Sequence, residues 1–232
     1  MSRTFNQVSS SAVACALCAT ALLGSTAGTL NAATLYNNRA SFEAVLASFV
    51  TDDYEALAYR SGDALDGGEI DIHTNASMNA IFSETRYTTT GFLDWNVIFV
   101  SDGSRHYCAG CNGSYELDFT DTSVGTANGV GGVGLEVQVE SVRGTHAFVT
   151  YGDNSTEDFE IPVEDFWGIT SPIQIKKIHF GLENGGTNTD PSVQMIDMDN
   201  LTIGALVPEP NGLMLLLGAM TSIPLVARRS KP

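Results

Sequence analysis

Short segments in which apolar and polar residues alternate dominate the chain after residue 94, and they restrict the fold more than any other feature. The alternation is clearest at residues 133–139, where every second residue is apolar. It recurs less strictly at 95–100, 173–180 and 195–204. A period of two is typical of β-strands, because successive side chains point to opposite faces of a sheet. With 23 glycines in the chain and strands this short, we expect an all-β domain built as an antiparallel sandwich.

Two further local patterns are visible. Residues 145–151 and 157–161 alternate on either side of a polar turn, which predicts a β-hairpin. Apolar residues recur at helical spacing within 41–49, and Asn38 or Ser41 can cap that segment. The sequence therefore predicts one short N-terminal helix, which we expect to cover the sandwich rather than to bind a partner.

The C-terminal segment carries an uncharged apolar run at residues 212–227, followed by the cations Arg228, Arg229 and Lys231. As a helix the run would be about 24 Å long, a little less than the roughly 30 Å hydrocarbon core of a bilayer. It has no polar stripe, which argues against a helix buried on a protein core. Because basic residues stay on the cytoplasmic side of a membrane, we expect a C-terminal membrane helix with the rest of the chain on the opposite side.

The N-terminus has the layout of a secretory signal peptide. Arg3 supplies a thin positive region, residues 12–23 are apolar, and small residues continue to Ala33. Export by the Sec machinery is therefore expected, with cleavage near Ala32 or Ala33 and a mature chain that begins close to Thr34.

A short motif, Val-Pro-Glu-Pro at residues 207–210, precedes the C-terminal apolar run. The order of motif, apolar segment and Arg228 with Arg229 resembles the PEP-CTERM sorting domain of Gram-negative envelope proteins. In that family an exosortase, a membrane-embedded cysteine protease, recognises Pro-Glu-Pro and processes the protein there. The resemblance implies that role for Pro208, Glu209 and Pro210 and a basic stop at Arg228, Arg229 and Lys231.

This resemblance divides the chain into three parts: a signal peptide at 1–33, a β-sandwich body at 34–206 and a sorting signal at 207–232. The protein would pass through the inner membrane, held by its C-terminal helix before processing, and then reach the outer surface or extracellular matrix. A plain C-terminal anchor is the alternative, and the short apolar span argues against it.

The body is strongly acidic. It holds 26 of the 27 acidic residues but seven of the 11 basic residues, so its formal charge is near −19. Nucleic-acid binding is not expected, since contacts to phosphate need clustered cations. A solvated, self-repelling surface is the first interpretation, and binding of divalent cations through oxygen ligands is the second.

Cys108 and Cys111 are the two cysteines of the body, in the sequence Cys-Ala-Gly-Cys. In an oxidising compartment we expect a disulfide, although the loop that it closes is so small that it stabilises the fold little. Two alternatives stay open. A zinc site needs further ligands, of which His106 is one. A thioredoxin-like redox role needs a helix N-terminus, whereas residues 114–119 alternate like a strand.

The strand order between residues 134 and 204 resembles that of jelly-roll modules with carbohydrate-binding-like folds. In several such sandwiches an acidic residue on the final strand helps to hold a structural calcium. Asp197 and Asp199 would take this role here, on one face of the last strand, with Glu55 as the partner from an early strand. An ordinary polar strand edge is the alternative. The acidic residues within 63–71 lack the ligand spacing of an EF-hand and are expected to form a loop.

Motifs for catalysis are missing from the sequence: it has no nucleophile elbow, no His-Glu-x-x-His and no phosphate-binding loop. The resemblance therefore implies a non-catalytic exported protein of the envelope or extracellular matrix, associated with exopolysaccharide or biofilm. The alternative is a calcium-supported carbohydrate-binding or sugar-active module with Trp95 or Trp167 on its binding face. An exposed row of aromatic residues and a bound cation would indicate the module, and buried tryptophans would indicate the matrix protein.

Overall fold

The computed structural model describes residues 33–138, 144–161, 165–190 and 196–208. Antiparallel strands make up most of this part of the chain, which confirms the prediction of an all-β body. The strands are β1 Thr34–Tyr36, β2 Leu46–Asp52, β3 Asp63–Leu65, β4 Ile70–His73, β5 Arg86–Thr89, β6 Asn96–Ser101, β7 Ser104–Ala109, β8 Tyr115–Asp118, β9 Val130–Gln138, β10 His146–Tyr151, β11 Thr156–Glu160, β12 Asp165–Gly181 and β13 Asp197–Leu206. The helices are α1 Arg39–Glu43 and α2 Asn75–Ile81, with short 3-10 helices at Leu57–Ser61, Asp66–Gly68 and Glu183–Gly185.

The strands of the described residues form one connected sheet. Its main path runs β11-β10-β12-β9-β13-β7-β6-β4-β3, and β1, β2, β5 and β8 attach beside this path. The long strand β12 pairs with β1 and β9 through its first half and with β8 and β10 through its second half. The last strand of the body, β13, pairs with β2, β7 and β9. It is therefore an interior strand and not the polar edge considered as an alternative.

Most of the buried apolar side chains belong to one cluster. Burial alternates along β8 and β10, where every second residue is buried, as the period of two predicts. A line of rings crosses this core from Tyr107 through Tyr115 and Phe180 to Trp167, with neighbouring centroids 5.1, 5.1 and 6.1 Å apart. Removing this aromatic surface from water is a large favourable contribution to folding.

The N-terminal helix is present but shorter than predicted. It ends at Glu43, and β2 begins at Leu46, where the sequence pattern predicts that the helix continues to residue 49. The cap is one of the two expected, since Asn38 Oδ1 accepts a hydrogen bond from the Ser41 N–H at 3.0 Å. The boundary was wrong because β2 pairs with β13 over most of its length, and this tertiary pairing overrides a weak local preference for helix.

A glycine-lined patch on β9 fixes the position of α1. The Phe42 ring packs with Leu46 and Phe166 in a second, small apolar cluster. A Cβ atom on Gly134 would lie 2.8 Å from the Phe42 ring and 2.6 Å from that of Phe166. Glycine is therefore needed at this position of β9, because the rings approach the backbone too closely for any side chain.

Two parts of the structure differ from the sequence prediction. The helix α2 was not predicted. Thr74 caps it by accepting a hydrogen bond from the Ser77 N–H at 3.2 Å, and Met78 is its buried residue. Residues 63–71, expected as a loop, instead form β3 and the start of β4, which pair antiparallel. The pairing between β4 and β6 extends this hairpin into the sheet, so tertiary contacts stabilise what the local sequence does not specify.

The predicted hairpin at 145–161 is confirmed, since β10 and β11 pair antiparallel across a polar turn. In the described ranges no helix has the length and apolar character needed to cross a bilayer. The predicted signal peptide, apart from Ala33, and the predicted membrane helix at 212–227 lie outside the described residues.

Candidate functional site

The cysteine pair lies at the end of β7. The Sγ atoms of Cys108 and Cys111 are at disulfide-bonding distance, as predicted. The chain turns between them through Gly110 and Cys111, which both have a left-handed φ of 58°, and the Gly110 N–H donates to the Trp95 carbonyl at 2.8 Å. The next regular element is strand β8 and not a helix, so the thioredoxin-like arrangement is not formed here. Cys108 is fully buried and Cys111 is half-buried.

An acidic residue of β13 lies against this pair. Met198 pairs with Tyr107 in antiparallel register, so the preceding residue, Asp197, lies beside Cys108. A carboxylate oxygen of Asp197 and the two cysteine Sγ atoms all lie within 4.8 Å of one another. Asp197 is 7 % exposed. The two disulfide sulfur atoms and one carboxyl group, from two strands and a turn, therefore converge in a nearly enclosed place.

Asp199 lies two residues further along the same face of β13. Its Oδ2 accepts a hydrogen bond from Ser104 Oγ at 3.0 Å, and its Oδ1 accepts one from the Asn200 N–H at 2.7 Å. Burial raises the pKa of this carboxyl group, against the opposing effects of these hydrogen bonds and of nearby His106. His106, the suggested third zinc ligand, is not within the group formed by the cysteines and the β13 carboxylate.

Glu55 lies beside the start of β7. Its Oε1 accepts a hydrogen bond from the Arg105 N–H at 2.8 Å, and its Oε2 is 3.6 Å from an Arg60 guanidinium nitrogen. Among the described residues, the carboxylates of Glu55, Asp197 and Asp199 do not all lie within 4.8 Å of one another. The structure thus spreads the three predicted calcium ligands along β7, and the calcium site stays a prediction.

The most strongly perturbed carboxyl group is that of Asp52, which sequence reasoning missed. Its Oδ2 accepts hydrogen bonds from the hydroxyl groups of Tyr59 and Tyr87, the latter at 3.1 Å. The Tyr54 hydroxyl lies 3.1 Å from that of Tyr87, and Tyr54 has a left-handed φ of 56°. Burial raises the pKa of Asp52 to about 6, although the tyrosine hydrogen bonds lower it.

A raised carboxyl pKa can mark a catalytic acid, but Asp52 is 5 % exposed and its tyrosine partners are buried. We interpret this cluster as a structural hydrogen-bond network. The sequence gives no signal for it, because Asp52 and Tyr87 are 35 positions apart and meet only through the sheet.

Two arginines are held by acidic partners. Arg105 forms a buried ion pair with Asp71 at 2.8 Å. Arg39 lies beside a surface pocket of about 470 Å³, bonds Glu136 at 3.0 Å and covers the Phe166 ring at 5.0 Å from its centroid. Both guanidinium groups are therefore engaged within the protein, and neither is a free cation for an anionic ligand.

The two tryptophans have different surroundings. Trp167 is 3 % exposed and belongs to the core, whereas Trp95 is 44 % exposed and its ring meets that of Phe92 edge-on, with centroids 6.2 Å apart. Leu93, between Phe92 and Trp95 in sequence, is 87 % exposed. Of the two candidate tryptophans, Trp95 is therefore the one that is partly exposed, on a loop beside the cysteine turn.

The body ends close to the predicted sorting motif. The last strand, β13, ends at Leu206, and the Val207 N–H donates to the Val45 carbonyl at 3.1 Å. Val207 and Pro208 are exposed. Glu209, Pro210 and the predicted basic stop at Arg228, Arg229 and Lys231 lie outside the described residues.

Comparisons of the chain with protein-family models, with curated proteins and with solved structures found no match. The function is therefore inferred from the residues and from their arrangement.

Proposed function

We propose that the protein is a non-catalytic exported protein of the cell envelope or extracellular matrix, sorted and processed through its C-terminal segment. The observation that carries the proposal is the succession of Val-Pro-Glu-Pro at 207–210, an apolar run at 212–227 and a basic cluster. The cations orient this run across a membrane and leave the body on the far side. The expected partners are the Sec machinery, an exosortase-type membrane protease and extracellular polysaccharide.

The exit of the chain from the body supports processing at the motif. Leu206 is the last strand residue, and Val207 makes the last backbone hydrogen bond to the body. The next residue, Pro208, is exposed. Proteases act on accessible segments whose backbone is not tied into a sheet. Cleavage at Pro208 or beyond it would leave the hydrogen bonds of β13 intact, so the released body would keep its fold.

The surroundings of the cysteines support export, and those of the Asp52 carboxyl group support a non-catalytic role. A disulfide between Cys108 and Cys111 suits an oxidising compartment outside the cytoplasm. The most perturbed carboxyl group, that of Asp52, is 5 % exposed and is hydrogen-bonded by buried tyrosines. A non-catalytic role is consistent with both observations.

Within the all-β body we propose a jelly-roll-like sandwich. The two halves of β12 pair with different neighbours, and Gln174, between the paired segments, has a left-handed φ of 63°. Strands that bend in this way can pass from one layer of a sandwich to the other. The bulge in β13 between Asp199 and Thr202 is a second place where the sheet can turn.

Deleting Pro208, Glu209 and Pro210 is expected to leave the apolar tail attached and to keep the protein in the membrane fraction of its native host. The wild-type protein should appear in the outer envelope or medium without its tail. Asn211→Ala is the matched control, because it changes the adjacent residue and leaves the tripeptide intact. Fractionation with mass analysis of the C-terminus gives the result, and release of the deletion variant would show that the tripeptide is not the processing signal.

A second candidate function, a carbohydrate-binding module supported by calcium, is favoured by the exposure of Trp95. An exposed indole face can stack on a sugar ring. We expect Trp95→Ala to reduce retention of the protein on the exopolysaccharide of its host by about tenfold, equivalent to about 1.4 kcal/mol. Phe49→Ala is the control, since Phe49 is a similarly exposed aromatic residue on β2. Equal retention of both variants and the wild type would rule out a binding role for Trp95.

A further inference from the structure

The group formed by Cys108, Cys111 and Asp197 has the chemistry of a metal site once the disulfide is open. Thiolate sulfur and carboxylate oxygen are ligands for zinc, at about 2.3 Å and about 2.0–2.2 Å. Around a tetrahedral ion, ligand atoms at these distances lie about 3.4–3.8 Å from one another. The three side chains already have their ligand atoms within 4.8 Å of one another. Once the disulfide bond is broken, the two sulfur atoms need only move apart to the ligand spacing of the ion.

We propose that the reduced form of the protein binds one thiophilic divalent cation, of the zinc class, through Cys108, Cys111 and Asp197, and that the disulfide closes this site. Two sulfur ligands favour zinc over calcium or magnesium, which prefer sites made of oxygen. Water would take the fourth position. The site differs from the predicted calcium site, since neither Glu55 nor Asp199 belongs to it.

The redox step that opens the site is a two-electron reduction. Two molecules of a thiol reductant supply two electrons and two protons and become a disulfide. A phosphine reductant supplies the two electrons, and water supplies both protons and the oxygen of the phosphine oxide. When the cation binds, both thiols lose their protons to solvent, because the thiolate is the ligand. A chain that leaves a reducing cytoplasm carries these cysteines as thiols, so cation binding and disulfide formation compete for the same two sulfur atoms.

Backbone contacts other than the disulfide position the ligands. The register between β7 and β13 sets Asp197 beside Cys108. The turn that carries Cys111 is fixed by the Gly110 N–H bond to the Trp95 carbonyl and by the Gly113 N–H bond to the Ala109 carbonyl, both at 2.8 Å. Cys111 is half-buried, which gives a reductant or a cation a route from solvent to the enclosed carboxylate.

The test measures binding of Zn²⁺ and Cd²⁺ to the full chain in mild detergent, with Cys15 and Cys18 replaced by serine so that Cys108 and Cys111 are the cysteines present. One equivalent of Zn²⁺ should bind after reduction, competing with a chelating dye, and none should bind to the oxidised protein. Cd²⁺ should give the ultraviolet absorption of a cadmium–thiolate bond. An excess of Ca²⁺ should not displace either ion.

Two variants of β13 separate a ligand from a neighbour. Asp197→Asn should weaken Zn²⁺ binding by at least about tenfold, since even residues that only support metal ligands contribute that much. Asp199→Asn, on the same face and bonded to Ser104, should leave the affinity unchanged. Near-ultraviolet circular dichroism of each reduced variant checks that the fold is kept.

The Cys108→Ser/Cys111→Ser double variant gives the baseline for binding elsewhere on this acidic protein. The proposal is overturned if the reduced protein binds no more Zn²⁺ than this double variant. It is also overturned if Asp197→Asn and Asp199→Asn bind Zn²⁺ equally well.

Discussion

Gly129→Ala is expected to destabilise the body, residues 34–206, by more than about 4 kcal/mol, a loss that few single substitutions reach. Gly129 has a φ of 106°, where any residue with a side chain is strained by about 1–3 kcal/mol. A Cβ atom at this position would also overlap the carbonyl oxygen of Ile175, which belongs to the backbone of β12. Since a strand backbone in the core cannot move aside, the overlap adds to the strain.

Gly103→Ala is the matched control for this prediction. Gly103 also has a positive φ, 85°, but no atom lies within 4 Å of its added Cβ. It should therefore show the conformational strain alone, a loss of about 1–3 kcal/mol. Denaturant unfolding of both variants gives the two losses, and equal losses would contradict the close packing of Gly129 against β12.

Acidification from about pH 7 to about pH 4 is expected to stabilise the wild-type body by about 2 kcal/mol relative to Asp52→Asn. Burial raises the pKa of Asp52 from 3.8 to about 6 in the folded protein, so the folded state binds the proton more tightly than the unfolded chain. The resulting stabilisation is complete below the unfolded pKa of about 3.8 and is lost as the pH rises through about 6.

The measurement is the free energy of unfolding of both proteins at several pH values, reported as their difference. Subtraction removes the contributions of other groups, such as His179, whose pKa is lowered by burial and which opposes folding on acidification. A difference that stays constant, or that decreases as the pH falls, would show that Asp52 is not held as a buried acid.

The fold class could be predicted from the sequence because the alternation is local. β10 shows the alternation directly in its burial, whereas β9 is buried along almost its whole length and β11 has no buried residue. The segment at 46–49 could not be assigned correctly, because its apolar spacing suits both a helix and a strand and pairing with β13 decides between them. The helix α2 was missed since it is only seven residues long and has little amphipathic pattern.

The arrangement of the site depends on contacts that no local pattern encodes. The disulfide was predictable, because its two cysteines are three positions apart. The place of Asp197 beside them depends on the register of β7 against β13, set by the pairing of Met198 with Tyr107. The sequence therefore named Asp197 as a candidate ligand but did not predict its contact with the cysteines, and the buried partners of Asp52 were not foreseen either.

The most direct test of the proposed sorting is the intact mass of the protein recovered from its native host, measured in medium, envelope and membrane fractions. We predict a species that begins near Thr34 and ends between Pro208 and Pro210, found outside the inner membrane and lacking the apolar run. A full-length C-terminus found only in membranes would contradict processing at the motif and would leave a simple anchored domain.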